Sequence, residues 1–261
     1  MKSIISAFFK RELTYRFLYK TDLYIIILVP ILNIISFYLL GKFANAFSYF
    51  DMDVSAIRFI VFSVLIFYFS WEIVNNIISS IVEQKKILMH YLETPATIYH
   101  MLIGSLFVGI IQSFLFMTIQ LIILNDFMNL NLSIITFLFL IILMTLSLIS
   151  FIGISLIISG LSIWIKRTNY LFEISRILTI IFSAVLYSPY VLPKIFQKLI
   201  YFFPPALYIE MSRQLILFEK IPEIKLLIIF IIFSIILFLV GYFIFSYSLL
   251  KARKTGKITA L

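Results

Sequence analysis

Six long apolar runs constrain this chain more than any other feature. They cover about 23–41, 57–80, 99–124, 133–163, 171–190 and 224–250. Each is close to or above the ~20 residues that a helix needs to cross a bilayer, and the longer ones permit tilt or an emergent helical end. Of the 261 residues, 63% are apolar and 13% charged, and the mean hydropathy is +1.13. Soluble domains run nearer 45–50% apolar and about 25% charged. The balance excludes an ordinary soluble domain and a disordered chain. It predicts an all-α integral membrane protein with six transmembrane helices in one transmembrane domain over 1–261. With no cysteine, the chain has no disulfide framework, thiol nucleophile or Cys-ligated metal site.

Residues 1–22 do not read as a signal peptide, because Lys10, Arg11, Arg16 and Lys20 interrupt any short apolar core. Ile5, Phe9, Leu13 and Phe17 recur every four residues, with Ile4 and Phe8 beside them. This stripe predicts an amphipathic helix lying in the headgroup region. Lys and Arg set the orientation. With the N-terminus in the cytoplasm, thirteen of the 21 fall inside and seven outside, and Arg176 lies within the fifth run. The formal charge of +9 therefore marks a cytoplasmic membrane face rather than a nucleic-acid surface. Both termini are expected inside, in the cell membrane.

Five of the seven prolines, Pro189, Pro193, Pro204, Pro205 and Pro222, fall in the segment 189–222, from the end of the fifth run to just before the sixth. Each lacks an N–H and breaks a regular helix. The pieces between them, about 192–202 and 206–218, are too short to span. One continuous span here would place the basic C-terminal tail outside. The segment is therefore expected to form a re-entrant helix pair, about 191–219, which survives in a membrane only against protein or a water-filled cavity. An external loop resting on the surface is the simpler alternative.

The loop after the second run reads as a short cytoplasmic helix over about 83–97, ended by Pro95. Ile87, Leu88, Tyr91 and Leu92 form its apolar stripe, with Lys85, Lys86 and Glu93 off it. Either a docking surface for a soluble partner or a plain interfacial turn fits that spacing.

Candidate chemistry is sparse. His90 and His100 lack an acidic cluster and do not make a metal-ligand set. No phosphate-binding loop and no Gly-x-Ser-x-Gly elbow is present. Catalytic, cofactor and metal residues are thus none. Glu72 lies inside the second run, with Asn75 and Asn76 one turn on. An ionised side chain at mid-span costs ~2.5–3.5 kcal/mol on insertion scales, so it needs a partner or a water-filled path. These three are the pathway or gate candidates, with an interhelical polar clamp as the alternative. Glu173 with Arg176, and Glu210 with Arg213, stand at i, i+3 and can pair.

The order of these features resembles the permease subunits of type-2 ATP-binding-cassette (ABC) exporters. That family has an interfacial N-terminal helix, six spans, a coupling helix after span two and a re-entrant pair between spans five and six. Two stretches carry the likeness. Glu83 through Leu92-Glu93-Thr94-Pro95-Ala96-Thr97 is similar to the coupling stretch. Tyr187-Ser188-Pro189, Leu192-Pro193, Phe203-Pro204, Ile209-Glu210 and Arg213 are similar to the run around the re-entrant pair. The opening Phe9-Lys10-Arg11-Glu12-Leu13, Pro30 and Gly41 also fit. There are departures. Gln84 stands where the family usually has Arg, Ile87 and Leu88 where a Gly is usual, and Trp164-Ile165-Lys166-Arg167 replaces the Phe-Arg-Asp run of polysaccharide exporters.

The resemblance implies a transport subunit, not an enzyme. ATP and Mg would be bound by a separate soluble ABC ATPase. That partner would dock on Glu83, Lys86, Tyr91, Leu92, Glu93, Pro95 and Thr97 and on the N-terminal helix. A second permease copy, identical or paralogous, would complete the pathway. The cargo would be an amphiphile (drug, lipid or peptide), or alternatively a polysaccharide or lipid-linked glycan. A membrane-embedded lipid-modifying enzyme and a membrane assembly or immunity factor are the readings of another class.

Overall fold

The computed structural model describes residues 2–18, 24, 28–29, 31–36, 38–39, 42, 56–91, 98–128, 133–164, 168–189 and 192–254. Every regular element among them is helical: α1 Lys2–Leu18, α2 Ala56–Tyr91, α3 Ile98–Met128, α4 Ile134–Ser162, α5 Thr168–Phe182, α6 Lys194–Ile200, α7 Pro204–Phe218 and α8 Ile224–Lys254. Of the first expected span, 23–41, the described residues are helical, 31–36 without a break, and the others, Pro30 and Gly41 among them, lie outside the described residues.

Among the described residues four helices are long and apolar enough to cross a membrane: Arg58–Ser79 in α2, Ile103–Leu124 in α3, Ile134–Ser162 in α4 and Ile224–Ala252 in α8. They mark a multi-pass membrane protein. Their surroundings differ sharply. In the most apolar stretch of the α2 span, 83% of residues are buried inside the protein, against 17% in the α8 span. The central helix is therefore α2, packed against α3, α4, α5 and α7. The α8 helix leaves Ile228, Ile232, Ile235, Leu239 and Phe243 exposed. In water such a face would be untenable; against lipid tails it needs no cover.

The α4–α8 contact is made by small residues. A Cβ on Gly241 would fall 2.3 Å from the Gly153 carbonyl oxygen, and one on Gly153 would fall 2.8 Å from the Leu237 carbonyl carbon. At Gly160 the Phe245 backbone lies 3.1 Å away. The order of these contacts makes the two helices parallel. A Ser133 cap starts α4, its Oγ accepting from the Thr136 amide at 3.1 Å. At the other end of the chain α1 rests on α3, where a Cβ on Gly104 would meet Phe8 Cβ at 2.9 Å. Phe8 is buried, and Glu12, one turn on, is buried beside it with an ion pair to Arg11 at 2.8 Å.

Two expectations from sequence differ from the structure. The α2 helix does not stop near residue 80 to begin a separate coupling helix; it continues unbroken to Tyr91. Its extension, Ile81-Val82-Glu83-Gln84-Lys85-Lys86-Ile87-Leu88-Met89, is dense in good helix formers and has no Gly or Pro to end it. The fifth span, expected over 171–190, is a helix of 15 residues ending at Phe182. At ~1.5 Å per residue it is ~22 Å long, short of the ~30 Å hydrocarbon core. A Schellman turn stops it: Ala184 takes φ 50, its amide donates to the Ile181 carbonyl, and the Val185 amide donates to the Ile180 carbonyl.

Candidate functional site

Beyond that turn the chain reverses through the proline-rich segment. Pro193 precedes α6, and its carbonyl accepts from the Gln197 amide at 3.1 Å. Pro204 and Pro205 occupy the first turn of α7, where a missing N–H leaves no hydrogen bond unmade. The α7 helix is antiparallel to α2. Tyr208 lies near Ser70, whereas Arg213, farther along α7, bonds to Ser63. Ser70 and Ser147 face each other at 3.5 Å near the middle of the α2 and α4 spans. The Tyr208 hydroxyl approaches this pair without closing a hydrogen bond to either, and its ring meets Phe151 edge-on at 6.2 Å. The start of α7 therefore sits at mid-bundle depth. The helix rises from there toward the end at which α2 and α8 begin.

Arg213 fixes that arrangement. Its side chain is 2% exposed. Nε donates to Ser63 Oγ at 2.6 Å, and Nη2 donates to the Ala184 and Val185 carbonyls at 2.6 and 2.9 Å. The guanidinium carbon stands 4.0 Å from the Phe59 ring centroid. One side chain thus ties α7 to α2 and to the turn that ends α5. Nη1 faces Glu210 Oε2 at 3.6 Å, an ion-pair distance but beyond a hydrogen bond. Arg176 makes a similar, more exposed link from α5: it pairs with Glu173 at 2.7 Å and donates to the Tyr68 hydroxyl of α2 at 3.3 Å.

A cavity of about 540 Å³ opens beside Arg213. Four charged residues line it, Glu210, Arg213, Lys220 and Glu223. Its apolar wall comes from Phe59, Pro189, Phe218 and Ile221. Ser188 also lines it, and its buried hydroxyl has no hydrogen-bond partner.

The sequence candidates distribute unevenly around this site. Pro189, Glu210 and Arg213 meet at the cavity. Pro193, Pro204 and Pro205 shape the helices behind it. Glu72, Asn75 and Asn76 are not brought together there. Glu72 is half-buried, Asn75 is exposed, and Asn76 is buried against α3, its Cβ 2.9 Å from where a Gly109 Cβ would lie. Of Glu83, Lys86 and Tyr91 only the helical backbone is described, and Leu92, Glu93, Pro95 and Thr97 lie outside the described residues. Sequence reasoning missed Ser63 and the Ala184–Val185 carbonyls, and it named Ser188 only within the Tyr187-Ser188-Pro189 run. Serine in an apolar helix gives no distinct signal, and a carbonyl gives none at all. Among the described residues no three His, Asp or Glu side chains come together as a metal site.

No family model and no curated protein matches this chain.

Proposed function

We propose that this chain is the membrane-spanning permease subunit of an ATP-driven ABC exporter. It moves an amphiphilic substrate, a drug, lipid or peptide, outward, in company with a second permease copy. ATP and Mg belong to a separate soluble ATPase, so the chain is a transport subunit rather than an enzyme. It sits in the cell membrane with both termini in the cytoplasm and the α6–α7 pair re-entering from the outside.

The length of α2 carries this reading. The helix has 36 residues, ~54 Å at 1.5 Å each. Its apolar span ends at Ser79, and the helical backbone continues to Tyr91. That surplus, ~18 Å, emerges from the membrane at the cytoplasmic end of the proposed topology. It holds Glu83, Lys85 and Lys86. A rigid rod joins this end to the buried centre of the bundle. A soluble ATPase that moved the rod would bias the packing of α3, α4, α5 and α7 around it, which is a two-state element of the kind a coupling ligand needs.

The test is co-expression of the full chain with its partner ATPase, followed by ATPase and transport assays on the assembled complex. Glu83→Ala or Pro95→Ala is expected to reduce substrate-stimulated hydrolysis and transport by roughly five- to a hundredfold, the range of ordinary coupling energies, while insertion is unchanged. Parental rates in both variants would refute the coupling role. A chain purified folded and without any ATPase would shift weight to a lipid-modifying enzyme or an assembly factor.

A further inference from the structure

The cavity beside Arg213 has a position, a charge pattern and unused donors that together define a ligand. Phe59 adjoins Arg58, the first residue of the α2 span, and Glu223 precedes Ile224, the first residue of the α8 span. The cavity therefore opens at the level where a bilayer changes from hydrocarbon to headgroup. Its charges balance: Arg213 and Lys220 against Glu210 and Glu223. Guanidinium carries five N–H donors. Nε and Nη2 are directed to Ser63, Ala184 and Val185, whereas Nη1 has only Glu210, at 3.6 Å. The buried Ser188 hydroxyl adds a second donor without a partner. Buried donors left in this state are costly unless something accepts from them. Glu223 and Lys220 are exposed at the mouth, and Phe218 and Ile221 supply an apolar flank.

We propose that this cavity binds the phosphate-bearing zwitterionic headgroup of a phospholipid. Phosphate oxygens accept from Arg213 Nη1 and Ser188, the ammonium lies toward Glu210 and Glu223, and the acyl chains leave along Phe218 and Ile221. A volume of about 540 Å³ suits such a group, within the usual range for small-molecule sites. The site rests on the cavity alone and not on the export reading, and it is tested without an ATPase.

The full chain in detergent is titrated with a short-chain phosphatidylethanolamine and followed by native mass spectrometry. Matched phosphatidylglycerol and free phosphoethanolamine are run beside it. A saturable adduct is expected with phosphatidylethanolamine, about tenfold tighter than with phosphatidylglycerol, because only the former has a cation for the carboxylates. Ser188→Ala should weaken it about fivefold, the effect of one hydrogen bond. Glu223→Lys, a change at an exposed position, should turn the preference toward phosphatidylglycerol. Thermal midpoints of both variants, unchanged from the parent, show that the fold is intact. Equal affinity for both lipids in the parent and both variants overturns the site. Displacement of the lipid by an equal concentration of free phosphoethanolamine overturns the lipid assignment in favour of a soluble phosphorylated amine.

Discussion

At the scale of one residue, Arg213 shows how a charge survives in an apolar bundle. Removing a guanidinium from water is offset only when its donors meet fixed acceptors. Here one hydroxyl and two carbonyls supply them. The carbonyls are available because the Schellman turn at Ala184 ends α5 and turns Ala184 and Val185 toward α7. Lysine keeps the charge but cannot span three acceptors as a planar fork. Arg213→Lys is therefore expected to cost about 2–4 kcal/mol, read as a lower thermal midpoint in detergent. Ser63→Ala should cost less, about 1–2 kcal/mol, and the double variant less than the sum, because both changes remove the same bond. Full additivity would mean that the Arg213–Ser63 bond does not contribute. The spacing of Glu210 and Arg213 makes a pair legible in the sequence, and the two do face each other. The main partners of Arg213 were not legible. Ser63 is 150 positions away, and no local pattern joins them.

At the scale of elements, the parallel α4–α8 contact depends on missing side chains. Without water to drive helices together, membrane packing relies on close backbone approach. Gly241→Ala would place a methyl 2.3 Å from a backbone oxygen that has no rotamer to move. The helices must separate, at a cost of about 1–3 kcal/mol. Ile236→Ala, on the exposed face of α8, should change stability by less than about 0.5 kcal/mol. Thermal midpoints of the two variants check the contrast; equal losses would show that the crossing is not tight.

The elements also show what a sequence can reveal. The α4 and α8 spans were legible because hydropathy alone defines them. The starts of α6 and α7 were legible because proline punctuates them. The end of α5 was not, since its left-handed position holds Ala184 where glycine would be the usual signal. The continuation of α2 was not either: charged Glu83, Lys85 and Lys86 suggest a loop by polarity, but they are also good helix formers.

At the scale of the whole molecule, the two ends of the bundle are built differently. The α2 and α8 spans begin at one end, together with the Arg213 cavity, and finish at the other, where α2 extends past Ser79. In the proposed topology, which rests on the lysine and arginine bias, the extended end lies in the cytoplasm and the cavity outside. That topology predicts the side of two residues, one at each end of α8. Lys220 precedes the α8 span and Lys254 follows it, and both are exposed. The absence of native cysteine makes single-cysteine labelling unambiguous. In intact cells a membrane-impermeant maleimide should modify Lys220→Cys and leave Lys254→Cys unmodified until the membrane is permeabilised. The reverse pattern would invert the protein and separate the α2 extension from any cytoplasmic ATPase, so the export mechanism would fail with it. Labelling of both from the same side would mean that α8, despite its length and apolarity, does not cross the bilayer.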